Sequence, residues 1–297
     1  MGPHLPDRKR GRTVASVLAL GASTALLAGC SDDTAFGRMG MPEPGSEQGE
    51  HVLNLWQGAW LAAWITGIVV WGLIFWVIWR YRRRRADDIP VQTRYNLPLE
   101  ILYTIAPVLM VIVFFSHTVK TQNAVLDDDL PVDNTIEVVG YQWSWAFNYG
   151  LGDRDDAADE DANDDEFAYG DYVWENGSAS YIPTLVLPVG ETTRFNLHSP
   201  DVIHDFGVPG FLMKMDVVPG RVNHYEITPT EVGTYKGKCY ELCGVSHSRM
   251  LFNVEVVERS EYDAYLEELE AKGQESEAPL LGNDFTRTQA GLEGDAE

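Results

Sequence analysis

The run KCYELCGVSHSRM gathers Cys239, Cys243, His247 and Met250 into one short segment. Thiolate, imidazole and thioether are soft ligands, and together they select copper over the hard cations. The pair of cysteines carries the sharper message. A blue-copper site uses one thiolate, two histidines and a weak axial methionine, so a second Cys close behind the first implies two metals sharing two bridging sulfurs. A structural zinc in a non-redox binding module is the plainer alternative, since zinc also takes close Cys pairs, but a thioether is a poor zinc ligand. The copper reading needs one more ligand from upstream.

The elements around this run read as strands. Residues 135–139, 141–148, 184–188, 192–197, 221–227, 233–239 and 251–257 are rich in β-branched and aromatic side chains. Pro188-Val189-Gly190 and Val218-Pro219-Gly220 punctuate them. Short strands broken by Gly and Pro turns predict a β-sandwich or Greek-key barrel. The metal run then occupies the loop between the last two strands, where a rigid scaffold can hold it. His204 lies one loop upstream, just after a strand. His198 and His224 sit in or beside strands, where a hydrogen-bonded structural histidine is common, and His117 falls in an apolar stretch. Spacing does not choose between His198 and His204.

Two apolar stretches set where such a domain sits. Residues 52–79 carry no charge and exceed the ~20 residues a bilayer-spanning helix needs. Trp56, Trp60, Trp76 and Trp79 crowd the ends, as amphipathic rings do at a membrane interface. Arg80 and Arg82 to Arg85 follow, and a basic cluster stays cytoplasmic, which predicts an N-terminus outside. A second span begins near Leu99, tolerates Pro107, and returns the chain to the outer side. Glu100, at its cytoplasmic start, reads by itself as an interfacial carboxylate rather than part of a proton path. Near the N-terminus, Arg8 to Arg12, an apolar stretch and Leu27-Ala28-Gly29-Cys30 resemble a lipoprotein signal peptide. That predicts removal of residues 1–29 and lipidation of Cys30.

Charge narrows the function. A net −23 over 297 residues excludes nucleic-acid binding, which needs a basic footprint. Three cysteines are too few for a disulfide framework. Residues 151–180, with DRDDAADEDANDDEF, and the tail beyond Glu258 predict solvated segments, with a short helix over 262–269. Asn176-Gly177-Ser178 matches a glycosylation sequon. Acidity on this scale predicts a halophilic, haloarchaeal source.

The ordered set Cys-x3-Cys-x3-His-x2-Met, Asp-Val-Ile-His-Asp-Phe and Val-Pro-Gly-Phe resembles subunit II of the haem–copper cytochrome c oxidases over residues 50–258. The resemblance implies a two-helix transmembrane hairpin followed by an all-β cupredoxin-like Greek-key barrel that carries dinuclear copper A. By motif position it makes Cys239 and Cys243 the bridging thiolates, His204 and His247 the terminal imidazoles and Met250 a weak thioether. Glu241 would give its backbone carbonyl, and its side chain would reach a magnesium shared with subunit I. Trp143, in Tyr141-Gln142-Trp143-Ser144-Trp145, would be the point of electron entry, although by itself it reads as a core aromatic. Glu100, in Glu-x3-Thr-x2-Pro, would mark the entrance of a proton pathway. Asp201 would orient His204, as metal-bound histidines require.

The organisation expected on this basis is a signal peptide at 1–29, a linker at 30–50, spans at 51–80 and 99–120 around a cytoplasmic loop at 81–98, a copper domain at 121–258 and an acidic tail at 259–297. Both mature termini and the copper domain would face outward. The implied activity is that of a respiratory oxidoreductase and translocase subunit. It would accept single electrons from cytochrome c or a halocyanin-like copper protein and pass them to the haem of subunit I, beside copper B. Oxygen is reduced there with proton translocation, and subunit III would complete the complex. A quinol-oxidase-type subunit II would lack the copper ligands. Nitrous oxide reductase shares the copper loop but lacks the helical anchor.

Overall fold

In a computed structural model of the chain, the described residues are 34–85, 89, 92–152, 169–178 and 180–282. The signal segment, Cys30 and the acidic run 153–168 lie outside them. Two units make up the chain, Met1–Glu43 and Pro44–Glu297. Of the first, residues 34–43 begin with turns, Arg38 N–H donating to Thr34 O at 2.9 Å.

The second unit opens with two long helices. Helix α1 spans Glu47–Arg80; the Ser46 hydroxyl caps it by accepting from Gly49 N–H at 3.1 Å, and Glu47 and Glu50 suit the positive end of its dipole. Helix α2 spans Leu97–Val125, capped by Asn96, with Pro107 inside. Apolar side chains along both point outward and are exposed in the isolated chain, as expected where the solvent is lipid.

Both helices overrun the expected spans, and the extra turns belong to the β domain. Gln48, Gly49 and Leu53 are buried, and Val125 joins the core. The Ser46 hydroxyl also donates to Phe211 O at 3.2 Å, while Gln48 Oε1 accepts from Thr228 N–H at 3.1 Å. A side chain at Gly49 would meet Phe211 O at 2.9 Å, so only glycine allows this approach. Residues 44–50, expected as linker, are therefore a docked anchor.

The domain itself is two stacked sheets. One carries β1 (Asn134–Tyr141), β2 (Ser144–Leu151), β3 (Asp171–Asn176), β5 (Thr193–His198), β8 (Asn223–Ile227) and β11 (Glu275–Ser276) in the order β11-β3-β2-β1-β5-β8. The other holds β4 (Thr184–Pro188), β6 (His204–Val208), β7 (Met213–Val217), β9 (Gly233–Cys239) and β10 (Leu251–Val257) in the order β4-β10-β9-β6-β7. Pairs β1–β5 and β4–β10 are parallel; the rest are antiparallel. Between the sheets lies an aromatic core in which Phe206 stacks on Phe252 at 4.8 Å and Trp145 meets both edge-on at 5.4 Å.

Two stretches expected to be solvated are partly built in. Strand β3 lies within the segment read as an acidic loop; its adjacent Tyr172 and Val173 are both buried, and the strand pairs with β2. In the tail, helix α3 (Arg259–Ala271) buries Tyr262 and Leu269, which share a face with Tyr265 and Leu266. Beyond it β11 pairs with β3, Leu280 N–H donates to Asn148 Oδ1 at 2.8 Å, and Leu281 packs on Val139, Tyr141 and Ala146. The sequon residue Asn176 is likewise engaged, accepting from Tyr141 Oη at 2.6 Å.

Candidate metal centre

Three pieces of chain meet at one end of the sandwich. The first is the loop from β9 to β10. Cys239 ends β9, and its N–H donates to Met250 O at 3.0 Å, so the first and last soft ligands face each other across the neck of the loop. Within it a single 3-10 turn, His247–Arg249, returns the chain to β10. The second piece is β6, which pairs with β9 through Phe206 and Cys239 and thereby sets His204 beside the loop. The tight turn between β1 and β2 is the third. It consists of Gln142 and Trp143, joined by a cis peptide bond.

The sulfurs define the centre. Cys239 and Cys243 are free thiols with Sγ atoms 3.8 Å apart, well beyond the ~2.05 Å of a disulfide. At that spacing both can approach a common ion at the roughly 2.3 Å of a thiolate bond. His204 Nδ1 is 3.9 Å from Cys239 Sγ, His247 Nδ1 is 3.6 Å from Cys243 Sγ, and Met250 Sδ is 3.7 Å from Cys243 Sγ. Glu241 offers its backbone carbonyl 3.1 Å from Cys239 Sγ, and its side chain is exposed. Among the described residues His204, Cys239 and Cys243 also form a compact buried group of metal-binding side chains. A soft donor set with two sulfurs at bridging distance fits copper A.

Electrostatics ties His204 in place. Its Nε2 lies 2.8 Å from Asp201 Oδ1, and Asp201 also accepts from Val202 N–H at 2.6 Å and Gln142 N–H at 2.8 Å. Burial opposes charge on Asp201, yet the His204 contact and these amide donors outweigh it and hold the carboxyl below its usual value. Burial likewise opposes charge on His204, but Asp201 and then Cys239 keep its pKa raised. Burial opposes charge on Cys239, but hydrogen bonds to His204 and to the Asp205 and Glu241 backbone together hold it below the usual thiol value. Cys243 is pushed up to about 12 by burial and then by neighbouring Cys239. A metal entering here must therefore displace protons.

Comparison with known proteins places the chain in a family. A family model described as cytochrome C oxidase subunit II, periplasmic domain, matches residues 134–257, and one for the transmembrane domain of the same subunit matches residues 35–119. "Probable cytochrome c oxidase subunit 2" of Streptomyces coelicolor is 42% identical, covering 92% of each chain. This chain belongs to the cytochrome c oxidase subunit II family. The Streptomyces avermitilis protein of the same name is 43% identical over 92% of each chain. A crystal structure of the periplasmic domain of subunit II from Bradyrhizobium japonicum shares 27% identity over 48% of this chain and 97% of that one, at a TM-score of 0.38. Membership makes the helical pair membrane-spanning and the sandwich an extracytoplasmic domain. The two Streptomyces relatives are actinobacterial, so the haloarchaeal expectation gains no support from them.

Family positions expected at the site fall as follows. His204, Cys239, Glu241, Cys243, His247 and Met250 converge, and Asp201 touches His204. The competing His198 turns away to a buried carboxylate, its Nε2 lying 2.5 Å from Glu137 Oε2. Trp143 is half-buried at the surface of the loop, where its Nε1 donates to Cys243 O at 3.2 Å. Glu100 stands apart, in the first turn of α2, where its carboxylate accepts from Asn96 N–H at 3.0 Å as a reciprocal helix cap. Gln142 was not foreseen. Its Nε2 donates to Cys243 O at 2.7 Å, and the only signal in the sequence was its place beside Trp143.

Proposed function

We propose that the chain accepts single electrons at a dinuclear copper A centre and hands them to the haem of an oxidase subunit I, where oxygen is reduced and protons are translocated. The reading rests on one observation above the others: two buried thiols 3.8 Å apart, ringed by two imidazoles, a thioether and a carbonyl. Such a centre, when bound, supplies a one-electron store whose charge is shared between bridged metals. His204, Cys239, Cys243, His247, Met250 and the Glu241 carbonyl hold it, and Asp201 orients His204.

The chain's own residues then define the route. Trp143 receives the electron from the donor, its indole N–H leading through the Cys243 carbonyl toward the sulfur. The exposed Glu241 carboxylate takes the magnesium shared with subunit I. Glu100 opens the proton path at the cytoplasmic end of α2, a role it combines with capping. The donor is cytochrome c or a halocyanin-like copper protein, subunit III completes the complex, and Cys30 carries the lipid. Both mature termini and the copper domain face outward from the cell membrane.

Metal analysis and electron paramagnetic resonance of the full chain in detergent test the reading. Copper at two per chain with a multiline mixed-valence signal is expected; zinc without copper overturns it. Replacing Trp143 by Phe keeps an aromatic ring but removes the indole N–H, and should slow donor oxidation on the order of tenfold, or ~1.4 kcal/mol in barrier. The multiline copper signal should persist.

A further inference from the structure

Gln142 holds both ligand-bearing arms by hydrogen bonds. Its backbone N–H donates to Asp201 Oδ2 at 2.8 Å, while the other oxygen of that carboxylate meets His204 Nε2 at 2.8 Å. Its side-chain Nε2 reaches the opposite way and donates to Cys243 O at 2.7 Å, shorter than the 3.2 Å contact from Trp143 to the same carbonyl. An amide oxygen has two lone pairs and accepts both donors. The loop is shaped to receive them. Gly244 follows Cys243 with φ +127°, and a side chain there would come within 2.9 Å of the Trp143 ring and 3.2 Å of Gln142 Nε2. Only glycine both adopts that backbone and leaves room for the turn.

We propose that Gln142 is a positioning residue that ties the His204 arm to the Cys243 arm, so that the electron-entry turn and the copper loop move as one rigid unit. The inference rests on the copper A reading. Its physical sense is that an electron-transfer centre works best when its ligands shift little between oxidation states. Hydrogen bonds to ligating residues supply that restraint, and losing one commonly costs 10–100-fold in metal affinity. The backbone arm survives any substitution except proline, so a side-chain change tests the Cys243 arm alone.

The test compares Gln142→Met, similar in length but without a donor, with Gly244→Ala, which keeps both donors and pushes turn and loop apart. Each is made in the full chain within its oxidase complex. Copper loss to a chelator, the copper absorption spectrum and the midpoint potential are read beside donor turnover. Roughly tenfold faster copper loss with a shifted spectrum and potential in both variants supports the clamp. Wild-type chelator kinetics and spectrum in either variant overturn it. If Gln142→Met fails to assemble, Gly244→Ala alone decides. A wild-type chain that holds no copper would instead overturn the proposed function, a result distinct from any difference between variants.

Discussion

The two histidines at the centre are positioned in opposite ways. His204 is fully buried at the start of a strand, with Asp201 on one ring nitrogen and Cys239 on the other side. His247 is half-exposed on a single 3-10 turn, with its Nδ1 3.6 Å from the Cys243 sulfur. One arm belongs to the core of the sandwich and the other to the edge of a loop. The difference shows how a soft metal site is divided: the fold fixes one side, and metal or a partner surface must fix the other.

Removing what the arms share should have the largest effect. Cys243→Ser takes away one of the two close sulfurs and the atom that both His247 and Met250 approach. The mixed-valence copper signal should vanish from the resonance spectrum, and a retained multiline signal would count against bridging. His204→Ala comes next. It should destabilise the metal-free domain by about 2–4 kcal/mol, because it opens a cavity beside Trp145 and strips a partner from the buried Asp201 carboxylate. Thermal unfolding of the apo chain reads that loss, and an unchanged midpoint would mean the core does not hold this arm.

The contrast between the arms also explains what could be read from residues alone. The cysteine run was legible because its ligand types and spacing are local, and strands β9 and β10 were found with the boundaries now observed. His204 was not separable from His198 by spacing. What separates them is register: β1 and β5 run parallel and bring His198 to Glu137, whereas β6 pairs with β9 and brings His204 to Cys239. Strands β6 and β7 escaped notice because Asp205, Gly207, Lys214 and Asp216 interrupt their apolar pattern. Gly207 is nonetheless essential to the packing, since the Tyr240 ring occupies the space where its side chain would be. The anchor at 44–50 and the strap at 275–282 were missed for a similar reason. Both are held by hydrogen bonds to residues distant in sequence, such as Ser46 to Phe211 O and Leu280 N–H to Asn148 Oδ1, which leave no periodic trace.

A subtler change sharpens the comparison. Asp201→Asn keeps the shape beside His204 but removes the charge that orients it, and its single amide oxygen can serve only one of the Gln142 and Val202 amides, which use different carboxylate oxygens. Copper affinity should fall about 10–100-fold with little loss of fold. Competition with a calibrated chelator measures it, and wild-type affinity would show that Asp201 does no more than shape the loop.

The smallest expected effect on the fold completes the contrast. His247→Ala removes a half-exposed ring on a loop turn, so the metal-free chain should unfold within about 0.5 kcal/mol of wild type. Copper binding should nonetheless weaken, since a ligand has gone. Apo-chain thermal unfolding and chelator competition, measured together on His204→Ala and His247→Ala, separate the two arms. If both lower apo stability equally, the loop is as much a part of the core as the strand, and the division drawn between them fails.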